Sequence, residues 1–260
     1  MPVSLRSAAK HYRTQRLITA RGVLAAQQAF KQRNSTRLLT VMVAHQRAAA
    51  REAIAAVPAM LAEQRIDAPA VAVVNDAAFA RTASDGRSLV GLLQQAADEQ
   101  ALAVIVATQI QDAARVAAGV STTVRPTVDG HVRYLNPPSC ARCAILAGRF
   151  YRWSDGFQRH PRCDCVMVAT TETAAQHLVS DPMQAFRDGQ VRGMSAADTK
   201  AVADGADLGR VVNVRRSETG LSRAGRVLDR GGVPTPEGIY QFASDRADAL
   251  QMLRKYGYIT

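Results

Sequence analysis

Apolar residues near the start of the chain recur at helical rather than strand spacing, on either side of a polar break at Asn34, Ser35 and Thr36. The pattern predicts two long helices between Ser4 and about Glu63, the second opening its apolar side with Leu38, Val41 and Met42. Residues 66–76, with Pro69 in a run of Val and Ala, read as a connector or a short extended piece. After Asp85 and Gly86, Ser88 is placed to cap another long helix reaching about Ala118. Leu102, Val106, Ile110, Ala113 and Ala117 fall on one face of it. The plain reading of all these stripes is core.

The period then changes. Helical signal stops between Val120 and Thr127, and His131 to Leu135 alternate as a strand does before Pro137 and Pro138. Five of the 13 aromatic residues, Tyr134, Phe150, Tyr151, Trp153 and Phe157, fall in this stretch, enough for a small local core that needs a staple. Beyond Thr170 helices return. Asp181 and Pro182 open a short one, Ser195 to Ala203 suggest a second, and Thr235 with Pro236 starts a third. Ser244 and Asp245 can cap a last helix carrying Leu250 and Leu253 and ending near Gly257. The expected fold is mainly α, with long N-terminal helices, a small α+β Cys/His metal-stabilised module and a C-terminal helical region. The corresponding boundaries are 1–119 for a basic helical domain, 120–172 for the Cys/His module and 173–260 for the C-terminal helices.

Composition supports this reading and adds charge. A chain of 260 residues that is 47% apolar can bury a core, and 5% aromatic content with abundant Ala suits helices better than a β-sandwich. The net charge is +11 and the pI near 10.2, which favours a polyanionic partner: nucleic acid or an acidic protein surface. The charge is uneven. The first 51 residues hold ten Lys or Arg and no Asp or Glu, so Arg6, Lys10, Arg13, Arg16 and Arg21 are candidate nucleic-acid contacts, a solvated helix face being the alternative. A second basic run comprises Arg210, Arg215, Arg216, Arg223, Arg226 and Arg230. An Arg-rich, acid-poor N-terminus also suits an organellar transit peptide, but the helical pattern here continues well past the length one needs. No apolar run approaches the roughly 18 residues of a membrane span, so no membrane partner is expected and a cytosolic setting is.

In such a reducing setting, clustered thiols are more often metal ligands than disulfides. All four cysteines and one of the five histidines lie in SCARCAILAGRFYRWSDGFQRHPRCDC. Cys140 and Cys143 form a Cys-x-x-Cys pair, which lets one backbone turn aim two sulfurs at one ion. His160, Cys163 and Cys165 follow across a loop, the layout of structural zinc modules. Five candidates compete for four places. Cys140, Cys143, Cys163 and Cys165 make a Cys₄ site with His160 hydrogen-bonding from outside; Cys140, Cys143, His160 and Cys163 make a Cys₃His site.

Catalytic readings find less support. A zinc deaminase needs a His-x-Glu and a proline before its Cys-x-x-Cys, and neither is present. A cysteine protease would use Cys163 with His160, yet a nucleophile is seldom surrounded by three other cysteines at metal spacing. For His11, His45, His131 and His177 the default is surface or satisfied core, and no nucleophile-elbow motif accompanies any serine.

The pattern Cys140-x-x-Cys143, Ala147-Gly148-x-Phe150-Tyr151, His160-Pro161-x-Cys163-x-Cys165 and then an apolar strand resembles the signature of the MuF-like head morphogenesis proteins of tailed bacteriophages. These are also called minor head or minor capsid proteins. The C-terminal texts GADLGRVVNVRR and TPEGIYQFASDRADALQMLRKYGYI are similar to tails of such proteins in actinobacteriophages. The resemblance implies a non-enzymatic factor made in the host bacterial cytoplasm and attached to the phage portal protein during procapsid assembly. It would contact capsid or scaffold proteins, reside in the virion head and touch packaged DNA, with zinc as a structural cofactor. Relatives of this kind are sometimes labelled capsid maturation proteases, which stands as the alternative.

Overall fold

Three long helices form the body of the protein in a computed structural model that describes residues 5–135, 137–156, 163, 165–203, 208–214, 236–257 and 259. Helix α1 spans Arg6–Lys31 and α2 spans Ser35–Glu63. Between them Arg33 adopts a positive φ of 51°, and the Asn34 side chain accepts the Arg37 N–H at 2.8 Å to cap α2. Leu5, ahead of α1, offers no side-chain cap. Glu63 at the far end of α2 takes that role, accepting the Arg6 N–H at 2.7 Å and the Ser7 N–H at 2.8 Å.

The next predicted helix is two. Ser88 caps only α3 (Leu89–Leu93), and α4 (Glu99–Thr123) begins afresh at Asp98. The stronger cap wins: the Asp98 carboxylate accepts the Ala101 N–H at 2.7 Å with Glu99 in the first turn, whereas Ser88 reaches the Gly91 N–H at 3.4 Å. Helix α4 also continues past Ala118 to Thr123. The Thr122 and Thr123 hydroxyls bond back to the Ala118 and Gly119 carbonyls, which lets these β-branched residues stay helical.

Helices α1, α2 and α4 pack on one another through Ala26, Ala29, Met42, Ala49, Ala53, Leu102, Val106, Ile110, Ala113 and Ala117. So many small residues let the axes come close. At Gly22 a Cβ would lie 2.4 Å from Ile110 Cδ1 and 3.0 Å from the His45 ring, so α1 meets both neighbours there without a side chain. The expectation that nothing approaches the composition of a membrane span is corrected by α4. An 18-residue window of it reaches a mean hydropathy of 1.2, although 56% of that window is buried inside the protein.

An antiparallel sheet in the order β3-β1-β4 lies against this bundle, with β1 at Gly130–Tyr134, β3 at Phe150–Arg152 and β4 at Val166–Thr170. Between β1 and β3 come β2 (Ser139–Cys140) and the single turn α5 (Ala141–Ala144). The alternation predicted for β1 does not appear as alternating exposure, because the sheet is covered on both faces: His131, Val132 and Arg133 are all buried. Val132, Val168 and Phe150 pack with Leu5, Ala8 and Met60, while Met167 and Ala169 join the main core. Gln64, just past α2, donates to the Ala169 carbonyl and accepts from the Thr170 hydroxyl, tying bundle to sheet.

The remaining elements are α6 (Glu172–Ala175), α7 (Pro182–Arg187, capped by Asp181), β5 (Val191–Arg192, parallel to β2), α8 (Ala196–Ala203), α9 (Leu208–Val214), α10 (Pro236–Phe242) and α11 (Arg246–Lys255, capped by Asp245). Ile239, Ala249, Leu253 and Ile259 enter the main apolar cluster, which thus draws on residues from 1–119, 120–172 and 173–260 alike. Arg246 fastens α11 by donating to the Arg125 and Val128 carbonyls and lying 5.0 Å over the Trp153 ring. Thr235 and residues 215–230, with the expected basic run beyond Arg210, lie outside the described residues. The architecture is mainly α with a small α+β module around the cysteines.

Candidate metal centre

A strand that runs straight into one helical turn places the first two thiols. Cys140 ends β2 and caps α5, its Sγ accepting the Cys143 N–H at 3.3 Å. That is what Cys-x-x-Cys spacing achieves: the backbone amides of the turn stabilise sulfur while both side chains leave on one side. The turn closes at Gly148, whose φ is +70° and whose N–H donates to the Arg133 carbonyl at 2.9 Å. A Cβ there would sit 2.5 Å from Ser180 N and 2.7 Å from Val179 Cα, backbone atoms that cannot swing aside.

Cys163 and Cys165 approach from the other side, just before β4. The Cys143 and Cys163 sulfurs are 3.5 Å apart and those of Cys163 and Cys165 3.0 Å, and no pair forms a disulfide. The sulfurs of Cys143, Cys163 and Cys165 all lie within 4.8 Å of one another, and all three residues are buried. A tetrahedral ion with metal–sulfur bonds of about 2.3 Å would set sulfurs about 3.8 Å apart, so these two separations would each widen by under about 1 Å around an ion. These three cysteines can hold a metal ion. Cys140 adjoins them through its bond to the Cys143 amide, and His160 lies outside the described residues.

Two buried guanidiniums face the cluster. Arg115 on α4 donates to the Cys165 carbonyl at 3.2 Å and to the Cys163 carbonyl, and it pairs with Asp112 at 2.9 Å. Arg133 on β1 points a terminal nitrogen at Cys143 Sγ, 3.9 Å away. Burial works against the Arg115 charge, but Cys163, Cys165, Asp112 and Cys143 outweigh it and hold the guanidinium above its ordinary pKa. Arg133 is raised by the same contest, burial opposed by Cys165, Cys163 and Cys143.

Without an ion Cys143 and Cys165 keep their protons. Cys143 is raised by its contacts with the Cys140, Cys163 and Cys165 thiols and by burial, and Cys165 is pushed up to about 12, burial being the largest cause. An incoming cation would therefore displace protons from these two thiols as it binds. On the neighbouring strand His131 stacks on Tyr151 with ring centroids 5.6 Å apart, and burial followed by the Arg133 charge pushes it down to about 3.

Elsewhere the histidine default holds where partners are visible: His11 Nδ1 meets Glu52 at 2.6 Å, and His45 Nδ1 meets the Val41 carbonyl at 2.8 Å. Arg6, Lys10, Arg13, Arg16 and Arg21 are all exposed on α1 and take no part in the cysteine cluster. Three charged residues at the centre escaped the sequence reading. Asp112 and Arg115 carried a legible signal, being the only charged residues between Gln100 and Thr123 and spaced to pair on one helix face. Arg133 carried none, since an Arg in a five-residue strand reads as solvent-facing. No protein-family description matches the chain, and neither curated proteins nor solved structures yield a match.

Proposed function

We propose that the chain is a non-enzymatic assembly protein of the phage minor-head type, its cysteine cluster a structural zinc site holding the sheet to the helical bundle. The observation that carries the reading is the closed thiol trio at the junction of α4, α5 and β4, walled by Arg115 and Arg133. Four thiolates around Zn²⁺ would leave a net charge of about −2, which the buried guanidiniums of Arg133 and of the Asp112-paired Arg115 offset in part. With Cys140 as the fourth donor the site needs no histidine.

The alternative is a capsid maturation protease with Cys163 or a serine as nucleophile; its thiol form requires an accessible thiolate, and Cys163 is buried between two other sulfurs. The Cys-x-x-Cys, Ala-Gly and Cys-x-Cys pattern followed by the apolar strand β4 supports the portal-associated assignment, with capsid or scaffold proteins as further partners and the phage head as destination. Co-expression with the portal protein of the same phage tests it. Co-purification at constant stoichiometry is the expected result, and absence from both portal complexes and proheads would sink the reading. Processing of capsid protein that fails in a folded Cys163→Ala variant would transfer support to the protease.

A further inference from the structure

The outer face of α1 is neither core nor plain solvated helix. Leu17 and Leu24 are 57% and 67% exposed, one heptad apart, and belong to neither apolar cluster. Exposed Ala20 lies between them, giving the a-d-a spacing of a short coiled-coil seam about 10 Å long. Lys10, Arg13, Arg16 and Arg21, all exposed, flank that seam, and α1 contains no acidic residue. Further along, at the C-terminal end of α1, lies a groove of about 750 Å³ lined by Phe30, Leu39, Val90 and Leu93, with Lys31, Arg33 and Glu99 also in its lining.

We infer that this face of α1 docks an acidic amphipathic helix of a partner protein, its apolar residues covering Leu17 and Leu24 and its carboxylates meeting Arg13, Arg16 and Arg21. The stripe rejects other occupants on physical grounds. A second copy would bring cation against cation across a self-complementary interface. Duplex DNA would engage the cations but leave both leucines without an apolar partner, since phosphate contacts add nothing to a methyl surface. A lipid surface takes a helix with a broad apolar face, and the broad apolar face of α1 is committed to α2 and α4. This deepens the assembly reading by naming the chemistry of the partner.

The test uses the full-length protein and a fluorescent four-heptad peptide with Leu at a and d and Glu at e and g, against the same peptide with Lys for Glu. The Glu peptide should bind at least about tenfold more tightly, and Leu17→Ser with Leu24→Ser should remove at least about tenfold of that affinity with the melting temperature unchanged. Arg13→Glu with Arg21→Glu should turn the preference toward the Lys peptide. A leucine-independent affinity, no preference between the peptides, or tighter leucine-independent binding to a DNA duplex or to anionic phosphatidylglycerol vesicles would overturn the inference. Portal capture and zinc content are separate readouts, so the peptide result can fail while the assembly reading stands.

Discussion

The helical bundle and the cysteine-bearing sheet bury polar groups in very different proportions. Between α1, α2 and α4 the contacts are mostly Ala, Leu, Val, Ile and Met, with a few buried polar residues such as His11, Gln15 and Gln46 among them. Around the sheet the buried set includes Arg115, His131, Arg133, Arg142 and Thr170 beside three thiols. Each buried charge there is costly unless a partner of opposite sign stands next to it. The bundle therefore holds chiefly by apolar packing, while the sheet carries a buried polar constellation whose three thiols can hold a metal ion.

Removing the proposed ion should break the comparison most widely. Chelation, or Cys143→Ser, is expected to cost on the order of 10 kcal/mol of binding energy linked to the fold of the module, while most far-ultraviolet helix signal persists. Elemental mass spectrometry paired with melts before and after chelation reads both. A helix signal that collapses together with the module would show that the bundle is not self-sufficient.

Arg115→Met comes next. It leaves Asp112 buried without its 2.9 Å partner and should destabilise by about 3–5 kcal/mol in a denaturant titration, lowering metal retention as well. Leu102→Ala, at a fully buried position of α4, should cost about 2–5 kcal/mol by opening a cavity yet leave metal content unchanged. The pair separates the regions: one substitution moves both stability and metal, the other stability only.

Acid should act through the sheet. His131 has its pKa lowered from 6.5 to about 3, so below pH 6.5 the unfolded chain takes up a proton that the folded chain refuses, and stability falls as pH drops toward 3. The loss is about 2 kcal/mol at pH 5, and a folded His131→Phe variant should flatten that limb of the pH–stability curve. The smallest effect belongs to the bundle surface. Glu99→Gln removes an exposed 3.2 Å pair with Lys31 and should change stability by less than about 1 kcal/mol.

Much of this was legible in the chain. The break at Asn34, the core stripe from Leu102 to Ala117, the strand after Gly130, the caps at Asp181 and Asp245 and the convergence of Cys143, Cys163 and Cys165 follow from short-range pattern. The single long helix from Ser88 was misread because Ser88 and Asp98 are both credible caps, and only their bond lengths rank them. The strand expected to alternate is buried from Gly130 to Arg133 because α1, α2 and α6 pack on its Val132 face while Arg133 on the other face meets the cysteine module.

By itself the sequence determined where helices run, which of their faces are apolar and which residue types can bind a soft metal, since all three depend on neighbours a few positions away. Tertiary structure alone decided that Glu63 caps a helix starting 57 residues earlier, that Arg115 turns inward onto the Cys163 and Cys165 carbonyls and Arg133 onto the Cys143 sulfur, and that Leu17 and Leu24 are left outside. Those outcomes depend on which groups distant in the chain arrive at the same place. A buried charge keeps its place only where its counter-charge also arrives, and that pairing is made when the bundle and the sheet close on each other.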